Sequence, residues 1–144
     1  FIPTGKLAGV RGTPFDFTRS RAIGSRIGRL KPNKATGDPG GYDLNYCVDG
    51  PNGKVRLAAR VVEPRSGRVM EIHSDQPGIQ FYTGNFLDGK TKGKGGAAYP
   101  QYGAFCLESQ FFPDSPNKPD FPSIVLKPGE EYRQTTIYKF GTAK

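Results

Sequence analysis

The sequence predicts an all-β protein: an antiparallel β-sandwich, or part of one. Three observations predict it. First, 20 glycines and 13 prolines in 144 residues leave little room for long helices. Second, short runs alternate apolar and polar residues with the period of two that a half-buried strand needs. Third, turn chemistry separates those runs, as in Asp49-Gly50-Pro51-Asn52-Gly53.

The elements follow in order. Phe1-Ile2-Pro3-Thr4-Gly5 reads as a strand end entering a turn, and residues 11–17 are turn-like. From Arg19 to Leu30, Ala22, Ile23, Ile27 and Leu30 fall at helical spacing, but Gly24 and Gly28 restrict that helix to a turn or two. Residues 31–41 are a loop. Tyr42 to Val48 alternates as a strand. Val55 to Glu63 and Arg68 to Ser74 form a hairpin through Pro64-Arg65-Ser66-Gly67. Ile79 to Phe86 is a strand, and residues 88–97 form a Gly/Lys loop. Ala104 to Phe112 is a strand with Glu108 at its middle. Pro113 to Pro122 holds four prolines and is irregular. Ile124 to Leu126 reads as a short strand and Glu131 to Phe140 as a final one.

Composition narrows the function classes. The net charge is +8, with 21 Lys and Arg against 13 Asp and Glu. Such a balance permits an acidic partner. Yet the basic residues are scattered, and neither the segment with Arg19, Arg21, Arg26, Arg29 and Lys31 nor that with Lys90, Lys92 and Lys94 interleaves aromatics as a single-strand binding groove does. They are read as solvated faces, with no nucleic-acid partner. No apolar run is long enough to span a membrane. Two cysteines, Cys47 and Cys106, and one histidine, His73, do not make a structural zinc site, and no cofactor is expected. The low cysteine count suits a reducing compartment, here the cytoplasm, and leaves a single Cys47–Cys106 disulfide as the alternative. The chain opens on Phe1 rather than Met, as a piece of a longer protein would.

Gly84-Asn85-Phe86-Leu87-Asp88-Gly89-Lys90-Thr91 fits the phosphate-loop pattern. A phosphate loop must open a helix whose N–H groups cradle the phosphates. Here three glycines and a proline follow, which argues against one. His73 is a lone imidazole on a strand, read as structural. The two cysteines, Cys47 and Cys106, are read as buried structural residues.

The informative set is Asp43, Gln80 and Glu108. Each sits on a predicted strand among apolar neighbours. A carboxylate there is costly to desolvate unless it is paired or opens on a cavity or on water. Carboxylate and amide acceptors on a rigid wall, with an aromatic such as Tyr82, suit a hydroxyl-rich ligand. The set brings no positive charge, so it suits a sugar better than a phosphate. Two carboxylates also serve glycoside hydrolysis. Spacing leaves both readings open.

Longer motifs add a resemblance. Gly41-Tyr42-Asp43-Leu44-Asn45-Tyr46, Gln76-Pro77-Gly78-Ile79-Gln80-Phe81-Tyr82-Thr83-Gly84-Asn85 and Phe105-Cys106-Leu107-Glu108-Ser109-Gln110 resemble the aldose 1-epimerase (galactose mutarotase) family. So do Pro113-Asp114-Ser115-Pro116-Asn117 and Lys127-Pro128-Gly129-Glu130. The match covers only the C-terminal part of that family. It implies residues 1–144 as the C-terminal portion of a single large β-sandwich domain of the galactose mutarotase type. It implies interconversion of the α and β anomers of aldoses such as galactose and glucose. Glu108 is similar to the family's general base, Asp43 to a carboxylate that holds sugar hydroxyls, and Gln80 to a ligand-contacting glutamine. The general acid of the family is a histidine of the N-terminal part, which His73 does not match. Leu44 stands where many members have His. A non-catalytic sugar-binding relative on the same fold is the alternative.

Overall fold

The computed structural model describes residues 2–143. The order is α1 (Gly24–Ile27), β1 (Asp43–Cys47), β2 (Arg56–Val62), β3 (Arg68–Ser74), β4 (Gly78–Tyr82), β5 (Cys106–Gln110) and β6 (Thr136–Thr142), with short 3-10 turns at Lys94–Gly96 and Ser115–Asn117. The strands form two antiparallel three-stranded sheets, ordered β1-β4-β5 and β2-β3-β6. This is the all-β architecture expected from the alternation and the turns. Among the described residues, no helix is long and apolar enough to cross a membrane.

The chain divides into two compact units, one of residues 2–5, 45–80 and 107–143, the other of residues 6–44 and 81–106. In the first, the β2–β3 hairpin closes where expected. Glu63 N–H donates to Arg68 O at 2.8 Å and Gly67 N–H to Glu63 O at 2.8 Å. The Glu63 carboxylate accepts from the Ser66 hydroxyl and from the Arg65 and Ser66 N–H groups. Those bonds, the Ser66 hydroxyl foremost, hold its carboxyl below the usual range. Across the sheet, Ala59 faces Ile72 and Ile72 faces Tyr138; Val61 faces Met70 and Met70 faces Phe140. Ile72 is buried, whereas Tyr138 is 50% and Phe140 76% exposed on β6, the last strand of that sheet. On the opposite face Arg60, Glu71 and Lys139 form a charged row, with Arg60 Nε 3.3 Å from Glu71 Oε1.

Strand ends differ from the sequence expectation by a residue or two in several places, and the three largest departures each have a local reason. Ile124–Leu126 has strand-forming side chains but pairs with nothing among the described residues, and all three are exposed. Propensity without a neighbour does not make a strand. The last strand begins at Thr136 instead of Glu131, because regular pairing ends with β3 at Ser74. Beyond it Asp75 N–H donates to Thr135 O at 3.3 Å, while the Thr135 N–H goes to the Asp75 carboxylate at 2.9 Å in place of a backbone carbonyl. The fourth strand stops at Tyr82, because Thr83 and Asn85 turn their side chains onto the Tyr42 backbone.

That turn builds the second unit. Tyr42 is fully buried and stacks on Phe81 at 5.1 Å, with Phe17 edge-on at 5.3 Å. Its backbone N–H donates to Thr83 Oγ1 at 3.0 Å. Asn85 Nδ2 donates to Tyr42 O at 2.9 Å, and Thr83 Oγ1 donates to Asn85 Oδ1 at 2.6 Å. The Tyr42 hydroxyl donates to Pro14 O at 3.1 Å. Burial pushes the Tyr42 phenol up, against the pull of Arg26 and Arg21. The unfolded chain therefore releases this proton first as pH rises, and stability falls above about pH 10. Tyr42→Phe should flatten that alkaline decline in a urea-unfolding series; an unchanged slope would count against it.

Candidate functional site

The sheet β1-β4-β5 carries all three sequence-derived candidates. Asp43 opens β1 and is half-buried. Gln80 lies on β4, the middle strand, and is half-buried too. Glu108 sits at the centre of β5 and is exposed. Exposure answers the desolvation question raised by the sequence: the Glu108 carboxylate keeps access to solvent and needs no buried partner. Gln80 and Glu108 fall on neighbouring strands of one unit; Asp43 belongs to the other unit.

The surroundings of Gln80 and Glu108 follow from strand alternation. Val48 N–H donates to Pro77 O at 2.9 Å and Thr83 N–H to Tyr42 O at 3.1 Å, which together set β1 antiparallel to β4 and place Asn45 opposite Gln80. Residues two apart share a face, so Gly78 joins Gln80 and Gln110 joins Glu108. Side-chain geometry agrees. Gln110 Nε2 donates to Asn45 Oδ1 at 3.2 Å, reaching from β5 to β1 over the middle strand. It crosses at Gly78, where a Cβ would lie 2.6 Å from Asn45 Oδ1 and 3.0 Å from the Phe112 ring. Glycine at 78 is thus a condition of this amide bridge. Neither Asn45 nor Gln110 stood out in the sequence beyond its motif; the signal was the glycine two residues before Gln80.

The remaining candidates lie elsewhere. His73 is on β3, in the other sheet, with Nε2 3.2 Å from Glu71 Oε2. This contact, and then Arg60, holds the Glu71 carboxyl low. Cys47 and Cys106 are free and exposed, not buried as the sequence suggested, because each stands at an end of its strand. The Cys47 sulfur is still desolvated enough to push its thiol up, with Asp49 adding to the effect. Among the described residues, no group of three His, Cys, Asp or Glu side chains is placed to hold a metal ion. The phosphate-loop pattern does not open a helix. After Thr91, Lys92 bridges to Ala98 and residues 94–96 make a 3-10 turn, while Lys90 pairs with Asp88 at 2.8 Å. An apolar cavity in the second unit, lined by Ile23, Ile27, Thr83, Tyr102 and Phe105 among others, contains none of the candidates.

A polar strip of carboxylate and amides on a rigid sheet can orient hydroxyl groups, and an exposed carboxylate within it can accept a proton. Comparison with known proteins points the same way. The aldose 1-epimerase family profile matches residues 1–139. The chain is 49% identical over 142 residues to galactose mutarotase of Bos taurus and 48% identical to that of Homo sapiens, covering 99% of this chain and 39% of each relative. It is 35% identical to aldose 1-epimerase of Escherichia coli, over 96% of this chain and 40% of that protein. The crystal structure of a GalM/aldose epimerase homologue from C. elegans superposes with a TM-score of 0.83 at 29% identity, covering all of this chain and 41% of that one. The chain thus spans about two-fifths of the length of the relatives it matches. By these matches, and by the sheet that carries its polar strip, the chain belongs to the aldose 1-epimerase family.

Proposed function

We propose that this chain supplies the base-bearing part of an aldose 1-epimerase, which interconverts the α and β anomers of hexoses such as galactose and glucose. The observation that carries the reading is Glu108, exposed at the centre of β5 on a sheet lined by Gln80, Asn45 and Gln110. Anomerisation needs a base at the C1 hydroxyl and an acid at the ring oxygen. The ring opens to the aldehyde, the C1–C2 bond rotates, and closure occurs on the other face. Glu108 takes the C1 hydroxyl proton. Gln80 and Asp43 hold sugar hydroxyls, consistent with half-buried positions on β4 and β1. His73 does not serve as the acid on this reading, because it lies on the other sheet against Glu71. The acid comes from a part of the fold beyond these 144 residues, in keeping with the 39% coverage of the relatives. The reading takes residues 1–144 as the C-terminal portion of one sandwich domain. It includes a cytoplasmic setting, in keeping with two free thiols.

The test is polarimetry of freshly dissolved α-D-galactose. A chimaera carrying this chain in place of the matching part of bovine galactose mutarotase should speed the approach to equilibrium. A chimaera that folds, binds galactose and leaves the rate at that of buffer would reverse the reading in favour of a binding protein. In that chimaera Asp43→Asn should raise KM about tenfold, the usual loss when a charged acceptor becomes neutral, with a smaller effect on kcat. Unchanged constants would remove Asp43 from the site. The 144-residue chain alone should not accelerate the reaction, because it offers the base without the acid. Catalysis by the purified chain at the chimaera's rate would contradict that division of roles.

A further inference from the structure

We propose that Gln110 is a further sugar-binding residue: its Oε1 accepts a hydrogen bond from the hydroxyl next to the anomeric carbon, while Asn45 holds the amide in place. The proposal rests on the reading of Glu108 as the base at the C1 hydroxyl.

The orientation of the Gln110 amide follows from a chain of bonds. Asn45 Nδ2 donates to Tyr46 O at 3.3 Å. That leaves Asn45 Oδ1 turned toward Gln110, and an amide oxygen only accepts. Gln110 must therefore present Nε2 to Asn45, at 3.2 Å, and point Oε1 away from it. The Gln110 side chain is half-buried, so part of it remains open to solvent. An amide already fixed at one end loses little further freedom when it binds a ligand.

The position suits the role. Glu108 and Gln110 are alternate residues of one strand, so their side chains leave the same face with origins about 6.5 Å apart. Two side chains of that length converge easily on adjacent hydroxyls. One is the C1 hydroxyl, which loses its proton to Glu108. The other is the C2 hydroxyl, which donates to Gln110. The bridge across the sheet exists only because residue 78 is glycine, and Phe112 closes the same end, its ring held edge-on against Phe121 at 5.1 Å. The fold thus commits a glycine, an asparagine and an aromatic ring to holding one amide beside the base.

The test uses the chimaera, labelled with 15N, and compares D-galactose with 2-deoxy-D-galactose, which lacks the neighbouring hydroxyl. Galactose should shift the side-chain amide signals of both Gln80 and Gln110 saturably. It should bind about five- to tenfold more tightly than the deoxy sugar, the worth of one hydrogen bond. Gln110→Leu should weaken galactose to the level of the deoxy sugar and leave the deoxy sugar unaffected. Galactose shifting Gln80 but not Gln110, or equal affinities of the unaltered chimaera for the two sugars, would overturn the role of Gln110 and leave the sugar site standing. Galactose shifting neither amide would overturn both.

Discussion

Glu108→Gln should slow anomerisation by 10²- to 10⁴-fold in the chimaera while leaving the fold intact. The substitution keeps the shape of the side chain and removes its ability to accept the C1 proton. General-base help is worth about that factor. Stability should hardly change, because Glu108 is exposed and takes part in no ion pair among the described residues. Surface replacements of this kind stay within about 0.5 kcal/mol. The loss should appear in kcat, since a glutamine still binds a hydroxyl and galactose should still occupy the site. Polarimetry and thermal unfolding on the same sample separate the two effects. A variant that retains more than a tenth of the rate would take the role of base away from Glu108.

Gly41→Ala should have the opposite signature, a large loss of stability that begins away from the chemistry. Gly41 has φ +90°, a conformation that strains any residue with a Cβ by about 1–3 kcal/mol. A Cβ there would also overlap the Asn85 amide and approach the Tyr102 ring to 2.7 Å. Asn85 would have to move, giving up its bonds to Tyr42 O and Thr83 Oγ1. Each buried group left unpaired costs about 1–3 kcal/mol. Together these reach roughly 3–9 kcal/mol, a large part of the 5–15 kcal/mol that holds an ordinary domain. A fall in melting temperature of more than about 10 °C is expected. A fall below about 3 °C would show that the Tyr42–Thr83–Asn85 network adapts freely.

The alternation of β3 and the chemistry of its hairpin turn are local, so Arg68 to Ser74 was legible in full. The same holds for the general architecture, which short alternating runs and turn residues dictate without long-range information. Ile124–Leu126 was misread because a strand needs a neighbour, and neighbours are a property of the sheet. The end of β4 was misread because Thr83 and Asn85 answer to Tyr42, some forty residues earlier.

The site divides in the same way. Glu108 was visible as a charge inside an apolar run, and its motif assigned it a role. Asn45 and Gln110 were invisible as a pair. They are 65 residues apart and meet only because β4 lies between their strands and carries no side chain at Gly78. His73 shows the converse. As the lone imidazole it was read as structural, and the pairing of strands places it in the other sheet beside Glu71.

The central claim is that Glu108 faces the anomeric hydroxyl of a bound aldose. A crystal structure of the chimaera with galactose tests it most directly. The account predicts the C1 hydroxyl oxygen within about 2.6–3.2 Å of a Glu108 carboxylate oxygen, the reach a general base requires. A galactose seated with its C6 end toward Glu108, or bound away from the β1-β4-β5 sheet, would contradict it.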